Sequence, residues 1–259
     1  MVELGRRCEA WGDRGGDRGE IEIEWCLRAG SERGAPYAVI ADDPLPARAS
    51  LVEQAQHGTV ASKEAAARVL RTIAHETTFE DIAANGAIVP LVALVRDRPS
   101  LKAAEAAAYT LSRLMHNDAI RDSIATAGGI TALATLAACN EGVPVQSRRS
   151  HQAAAVWALG DLANCNSSQL RIQHSMWHDT AVREALMQFV GDPDPLLRSN
   201  ALHAFANLTM DTASQQSMWD DARLRAAFLQ GAAEGQTSKI RIQACCGLAT
   251  LCELAARLP

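Results

Sequence analysis

From about residue 46 onward, apolar and polar residues follow a helical period. Leu, Ile, Val and Ala recur three and four positions apart, in segments broken by short Gly, Asn and Asp clusters. The segments themselves recur. "NGAIVPLVALV" (85–95) lies over "GGITALATLA" (128–137), and Gly86, Ile88, Leu91 and Leu94 match Gly128, Ile130, Leu133 and Leu136, each 42 residues on. Upstream, "RVLRTIAHE" (68–76) lies over "YTLSRLMHN" (109–117), 41 residues on. The series continues through "VWALGDLANCN" (156–166), "LHAFANLTMD" (202–211) and "CCGLATLCE" (245–253), at steps of 48, 46 and 43. A second echo sets "QHSMWHDTAVREAL" (173–186) against "QQSMWDDARLRAAF" (215–228), again 42 on. A helical unit of this length cannot bury its apolar face alone. Stacked neighbours close one continuous core, so the pattern predicts an all-α superhelix, a solenoid.

The stretch "NDAIRDSIATAGGITALATLA" (117–137) followed by "HQAAAVWALGDLANCN" (151–166) resembles the armadillo repeat family. HEAT repeats have the nearest related architecture. The resemblance implies units of a short first helix, a Gly, a second helix, and a long Ala- and Leu-rich third helix, wound right-handed. On that frame the third helices are expected near 60–75, 100–116, 150–165, 196–209 and 238–254. The units run roughly 46–75, 76–117, 118–166, 167–210 and 211–259, with the first lacking its first helix. The likeness is strongest over 76–165. It weakens over 167–234, where "MW" and a Trp-Asp pair stand in place of the Gly before helix two. "NEGVPVQSRRS" (140–150) reads as the longest internal loop.

One residue stands out on these helices. With about 100° per residue and Ala155 set at zero, Ala158, Leu159 and Leu162 fall within about 60° of it, while Trp157 falls near 200° and Asp161 near 240°. Trp157 and Asp161 therefore share a face turned away from the core stripe. The resemblance implies that this face lines a concave groove. "AVWALGDLA" (155–163) is similar to the importin-α form of the repeat, in which a groove Trp is followed four residues later by Asn. In that form the indole holds the apolar stem of a peptide Lys and the amide clamps the peptide backbone. Asp161 stands where the Asn would be, and a carboxylate accepts hydrogen bonds without donating them. The matching pairs are Arg68 and Thr72, Tyr109 and Arg113, His203 and Asn207, and Cys246 and Thr250. The expected groove thus combines flat surfaces (Tyr109, Trp157, His203) with polar contacts (Arg68, Thr72, Arg113, Asp161, Asn207). Aromatic and Arg anchors of this kind concentrate binding energy.

Composition narrows the reading. Apolar residues make up 48% and aromatic residues 4%, which favours Ala- and Leu-rich helices over a sheet sandwich. The net charge of −5 is uneven: residues 1–45 carry ten acidic residues and six Arg. That Gly-rich segment is expected to be a disordered tail, although "IEIEWCL" (21–27) alternates as a strand would. No basic stripe suggests a nucleic-acid footprint. Seven Cys without a C-x-x-C pair fit free thiols in a reducing compartment, cytoplasm or nucleus. No apolar run approaches the length of a membrane span.

His174 and His178 stand at i and i+4, a spacing that suits a metal, but neither copy of the echo supplies further ligands. Met176, Trp177, Met218 and Trp219 read as core filler. His75 and His116 end two third helices, where a cation is favoured. Cys245 and Cys246 are adjacent on a helix and diverge. Ser150 follows two Arg in an exposed-looking loop, as a kinase site would. Paired carboxylates, a P-loop, a G-x-S-x-G turn and a dinucleotide fingerprint are missing. No cofactor, metal or catalytic activity is expected. The expected function is a scaffold or adaptor binding a protein or peptide. The alternatives are a nuclear-transport-type adaptor for basic peptides and a non-catalytic enzyme subunit.

Overall fold

The computed structural model describes residues 44–76, 79–140, 145–164, 170–233 and 236–255. The chain divides into two units, Met1–Ala47 and Arg48–Pro259, and nearly all the described residues belong to the second. The expectations of a disordered tail over 1–45 and of a strand over 21–27 lie outside the described residues, save the start of one helix. Among the described residues every regular element is a helix.

α1 (Pro44–His57) and α2 (Val60–Glu76) open the series. Four triplets follow: α3 (Phe79–Ala84), α4 (Ile88–Asp97) and α5 (Leu101–Leu114); α6 (Asp118–Thr126), α7 (Gly129–Ala137) and α8 (Val145–Ala163); α9 (Leu170–His178), α10 (Thr180–Met187) and α11 (Pro195–Leu208); α12 (Gln215–Asp220), α13 (Ala222–Ala232) and α14 (Ser238–Ala255). The long helices α2, α5, α8, α11 and α14 fall where the sequence places the third helices. One boundary needs correcting. α8 begins at Val145, directly after Pro144, so residues 145–150 are helical and not loop.

Each long helix packs on the next, from α2 to α5, α8, α11 and α14, while α4, α7 and α13 pack against the long helix of their own units. Ala makes this close approach possible: Ala103, Ala104, Ala107, Ala155, Ala158 and Ala204 are all buried between helices. Ala155, Ala158, Leu159 and Leu162 form the expected core stripe. The buried surface is wider than that stripe. Ala154, Val156 and Ala163 are also fully buried, because α8 has a long helix on either side.

The joint between short helices is made in two ways. In the second and third units it is a glycine in the left-handed region, Gly86 at φ 76° and Gly128 at φ 85°. In the fourth and fifth units, Asp179 (φ −79°) and Asp221 (φ −72°) stand at the joint as N-caps. Asp179 Oδ1 accepts from Ala181 N at 2.8 Å, and Asp221 Oδ1 from Arg223 N at 2.8 Å. The "MW" echo has its own fixed role. Arg183 stacks on the Trp177 ring at 5.2 Å and donates to Trp177 O at 2.8 Å; Arg225 repeats this on Trp219. Met176, Trp177 and Met218 are buried, as core filler should be, whereas Trp219 keeps an exposed edge.

Neighbouring units are also tied through the short-helix layer by ion pairs. Arg223 meets Glu184 bidentately at 2.8 and 3.1 Å, and Arg171 meets Asp122. The Arg223 guanidinium hydrogen-bonds Glu184 and holds its carboxyl below the usual glutamate range.

Candidate functional site

Within residues 151–163 of α8, only Trp157 and Asp161 escape full burial. Within residues 199–208 of α11, only His203 and Asn207 do. On α5 the partly exposed positions after residue 102 are Glu105, Tyr109 and Arg113. Each set is spaced by four residues, so it lies on one helix face. The packing order of these helices places the sets side by side. Arg68 and Thr72 continue the strip on α2, and Cys246 and Thr250 on α14. Cys246 is exposed and Cys245 half-buried. Among the described residues, α14 packs against one other long helix, α11.

The polar members of the strip are bound across the seams between long helices. Ser112 Oγ on α5 donates to Asp161 Oδ2 at 2.5 Å. Ser150 Oγ on α8 donates to Glu105 Oε1 at 2.6 Å. Asn207 Nδ2 donates to Gly160 O at 2.9 Å and lies 3.2 Å from His203 Nε2. His203 Nδ1 lies 3.2 Å from Gln243 Oε1. An amide oxygen only accepts and an amide nitrogen only donates, so the proton sits on Nδ1 and the ring is the neutral tautomer. Gly160 is required here, since a Cβ would lie 2.8 Å from His203 Cδ2. The Asn207 amide hydrogens are therefore spent inside the protein, not held out to a ligand. Thr72 is bound within its own helix, to Arg68 O at 3.1 Å, and Arg68 pairs with Glu64 at 3.7 Å.

The aromatic members carry cations. Arg71 lies over the Tyr109 ring at 4.3 Å, from the adjacent helix. Lys239 Nζ lies 4.8 Å from the Trp157 ring centroid. Lys239 belongs to α14, with α11 packed between it and α8, so its side chain reaches past a whole helix.

The remaining candidates separate from this strip. Ser150 is half-buried inside α8 and bonded to Glu105, which corrects the expectation of an exposed loop site. His116 is exposed in the turn after α5, and the side chain of His75 lies outside the described residues. The His174 and His178 rings are 4.3 Å apart. The next unit brings Asp211 and Ser214 to them: His174 Nδ1 lies 3.1 Å from Asp211 Oδ2 and 3.2 Å from Ser214 Oγ. Ser214 Oγ donates its proton to Asp211, whose side chain is 3% exposed. Buried Asp211 and Ser214 thus tie the two units together beneath two exposed imidazoles. No group of three metal-ligating side chains occurs among the described residues. Among them no helix is long and apolar enough to cross a membrane.

Solved structures share this architecture. An engineered protein superposes with a TM-score of 0.66 at 22% identity, over 88% of this chain and 84% of its own. A computationally designed armadillo repeat protein for modular peptide recognition gives 0.64 at 18% identity, over 80% and 81%. A designed armadillo repeat protein in complex with the peptide (KR)4 gives 0.63 at 18% identity, over 96% and 90%.

The fold is an armadillo-type solenoid.

At these identities the likeness is one of fold. No protein-family model and no curated protein sequence matches the chain. On the armadillo frame, the strip from Arg68 to Thr250 is the face of the third helices. The candidates Arg68, Thr72, Tyr109, Arg113, Trp157, Asp161, His203 and Asn207 lie on this face; Glu105 and the partners Ser112, Gly160, Arg71 and Lys239 are not among the sequence candidates. The repeat register holds a signal for the last of these. Lys239 stands seven residues before Cys246, two turns along the same face.

Proposed function

We propose that this armadillo-type solenoid is a protein-interaction scaffold that binds an extended peptide or partner helix along the third-helix face, centred on Trp157. The observation that carries the reading is the strip itself. Two neighbouring third helices bury almost everything else over these stretches, and leave Trp157 and Asp161, then His203 and Asn207, at matching positions. Designed proteins of the same fold include one made for modular peptide recognition and one in complex with (KR)4, which supports peptide binding as the mode. Flat aromatic surfaces within a packed frame supply contact area at little conformational cost. A cytoplasmic or nuclear location would suit the described cysteines, which are free thiols.

Selection of a random-peptide display library on the immobilised protein tests the reading. Enriched peptides should lose about tenfold or more in affinity on the Trp157→Ala/His203→Ala variant. Enrichment of peptides that bind both proteins equally would place the ligand elsewhere. A transport-type adaptor would instead enrich Lys-rich peptides.

A further inference from the structure

We infer that this face selects acidic rather than basic peptides, because its two main aromatic surfaces already hold the chain's own cations. The inference rests on the peptide-binding reading above and sharpens it.

The guanidinium of Arg71 covers Tyr109 at 4.3 Å and the ammonium of Lys239 covers Trp157 at 4.8 Å. A peptide Lys could reach either ring only by displacing a cation that makes the same contact. That exchange trades one cation–π contact for its equal, while the ligand still pays for ordering its backbone. An anionic side chain needs no displacement. A guanidinium lying over a ring keeps its in-plane N–H donors outward, and an ammonium keeps donors on its far side. A ligand carboxylate can bind each cation with the stacking intact.

The carboxylates of the strip are turned the other way. Asp161 accepts from Ser112 and Glu105 from Ser150, both across seams between adjacent helices. Cations thus lie over the outward rings and carboxylates are drawn into the seams. This local arrangement opposes the chain's net charge of −5, which by itself would attract a basic peptide.

Fluorescence anisotropy with labelled (KR)4 and its charge-reversed counterpart (DE)4 tests this at low salt. The parent protein should bind (DE)4 about tenfold or more tightly than (KR)4. The Arg71→Met/Lys239→Met variant keeps an apolar stem on each ring and removes the charge, and should lose that preference. Circular dichroism establishes that it is folded. Tighter binding of (KR)4 by the parent, weakened by Trp157→Ala, would overturn the acidic preference and leave the groove reading standing. An acidic preference that survives in the double Met variant would also overturn it. Binding of neither peptide, or binding indifferent to Trp157→Ala, would overturn both.

Discussion

The two kinds of joint between short helices show how one backbone need is met by different residues. At Gly86 and Gly128 a positive φ is required, and a Cβ at either would meet nothing within 4 Å. The requirement there is conformational and not steric. At Asp179 and Asp221 the backbone is extended, and the side chain supplies hydrogen bonds to the first free amides of the next helix. These aspartates explain why the repeat pattern fades after residue 166: the joint persists while its residue type changes. Asp221→Ala should cost about 1 kcal/mol in urea unfolding, and Asp221→Asn much less, since Asn caps nearly as well. Equal losses for both variants would mean that the carboxylate acts through its charge and not as a cap.

At the scale of the helix, the long elements pack closely only where side chains are small. Gly247 on α14 faces Phe228 of α13, and an added methyl would overlap the ring. Phe228 is fully buried and has no room to retreat. Gly247→Ala should therefore destabilise by about 1–3 kcal/mol despite the better helix propensity of Ala, as read from the thermal midpoint. A rise in the midpoint would mean that the α13–α14 contact is looser than described. The helices were largely legible beforehand because Ala, Leu and the 41-to-48-residue steps recur along the chain. The start of α8 was not. "VQSRRS" is polar and carries no apolar stripe to signal a helix, yet these residues make a helical turn that meets Glu105 and Asp192 through Ser150 and Arg149. The strip was legible as residues and not as bonds. Ser112 and Asp161 are 49 residues apart and Asn207 and Gly160 are 47, one unit in each case, and a single sequence does not reveal which side chains meet across that interval.

For the whole molecule, each long helix touches mainly its two neighbours, so stability is a chain of local interfaces. Among the described residues, α5, α8 and α11 have a long helix on both sides, while α2 and α14 have one. Hydrogen-exchange mass spectrometry should find the slowest amides in residues 151–163 and faster exchange in α1 and α14. Uniform protection along the chain would contradict this. Leu159→Ala in α8 should cost about 2–5 kcal/mol and speed exchange on both sides of it.

Both layers of the solenoid are joined by two kinds of bond. Adjacent units meet through exposed ion pairs such as Arg223–Glu184 beside the neutral Trp177–Ser217 bond on one layer, and through neutral or serine-to-carboxylate bonds beside the Arg149–Asp192 pair on the other. Dissolved electrolyte weakens exposed ion pairs far more than the hydrogen bonds. Raising the salt concentration should therefore loosen the Arg223–Glu184 and Arg171–Asp122 links while leaving the Ser112–Asp161 and Asn207–Gly160 bonds in place.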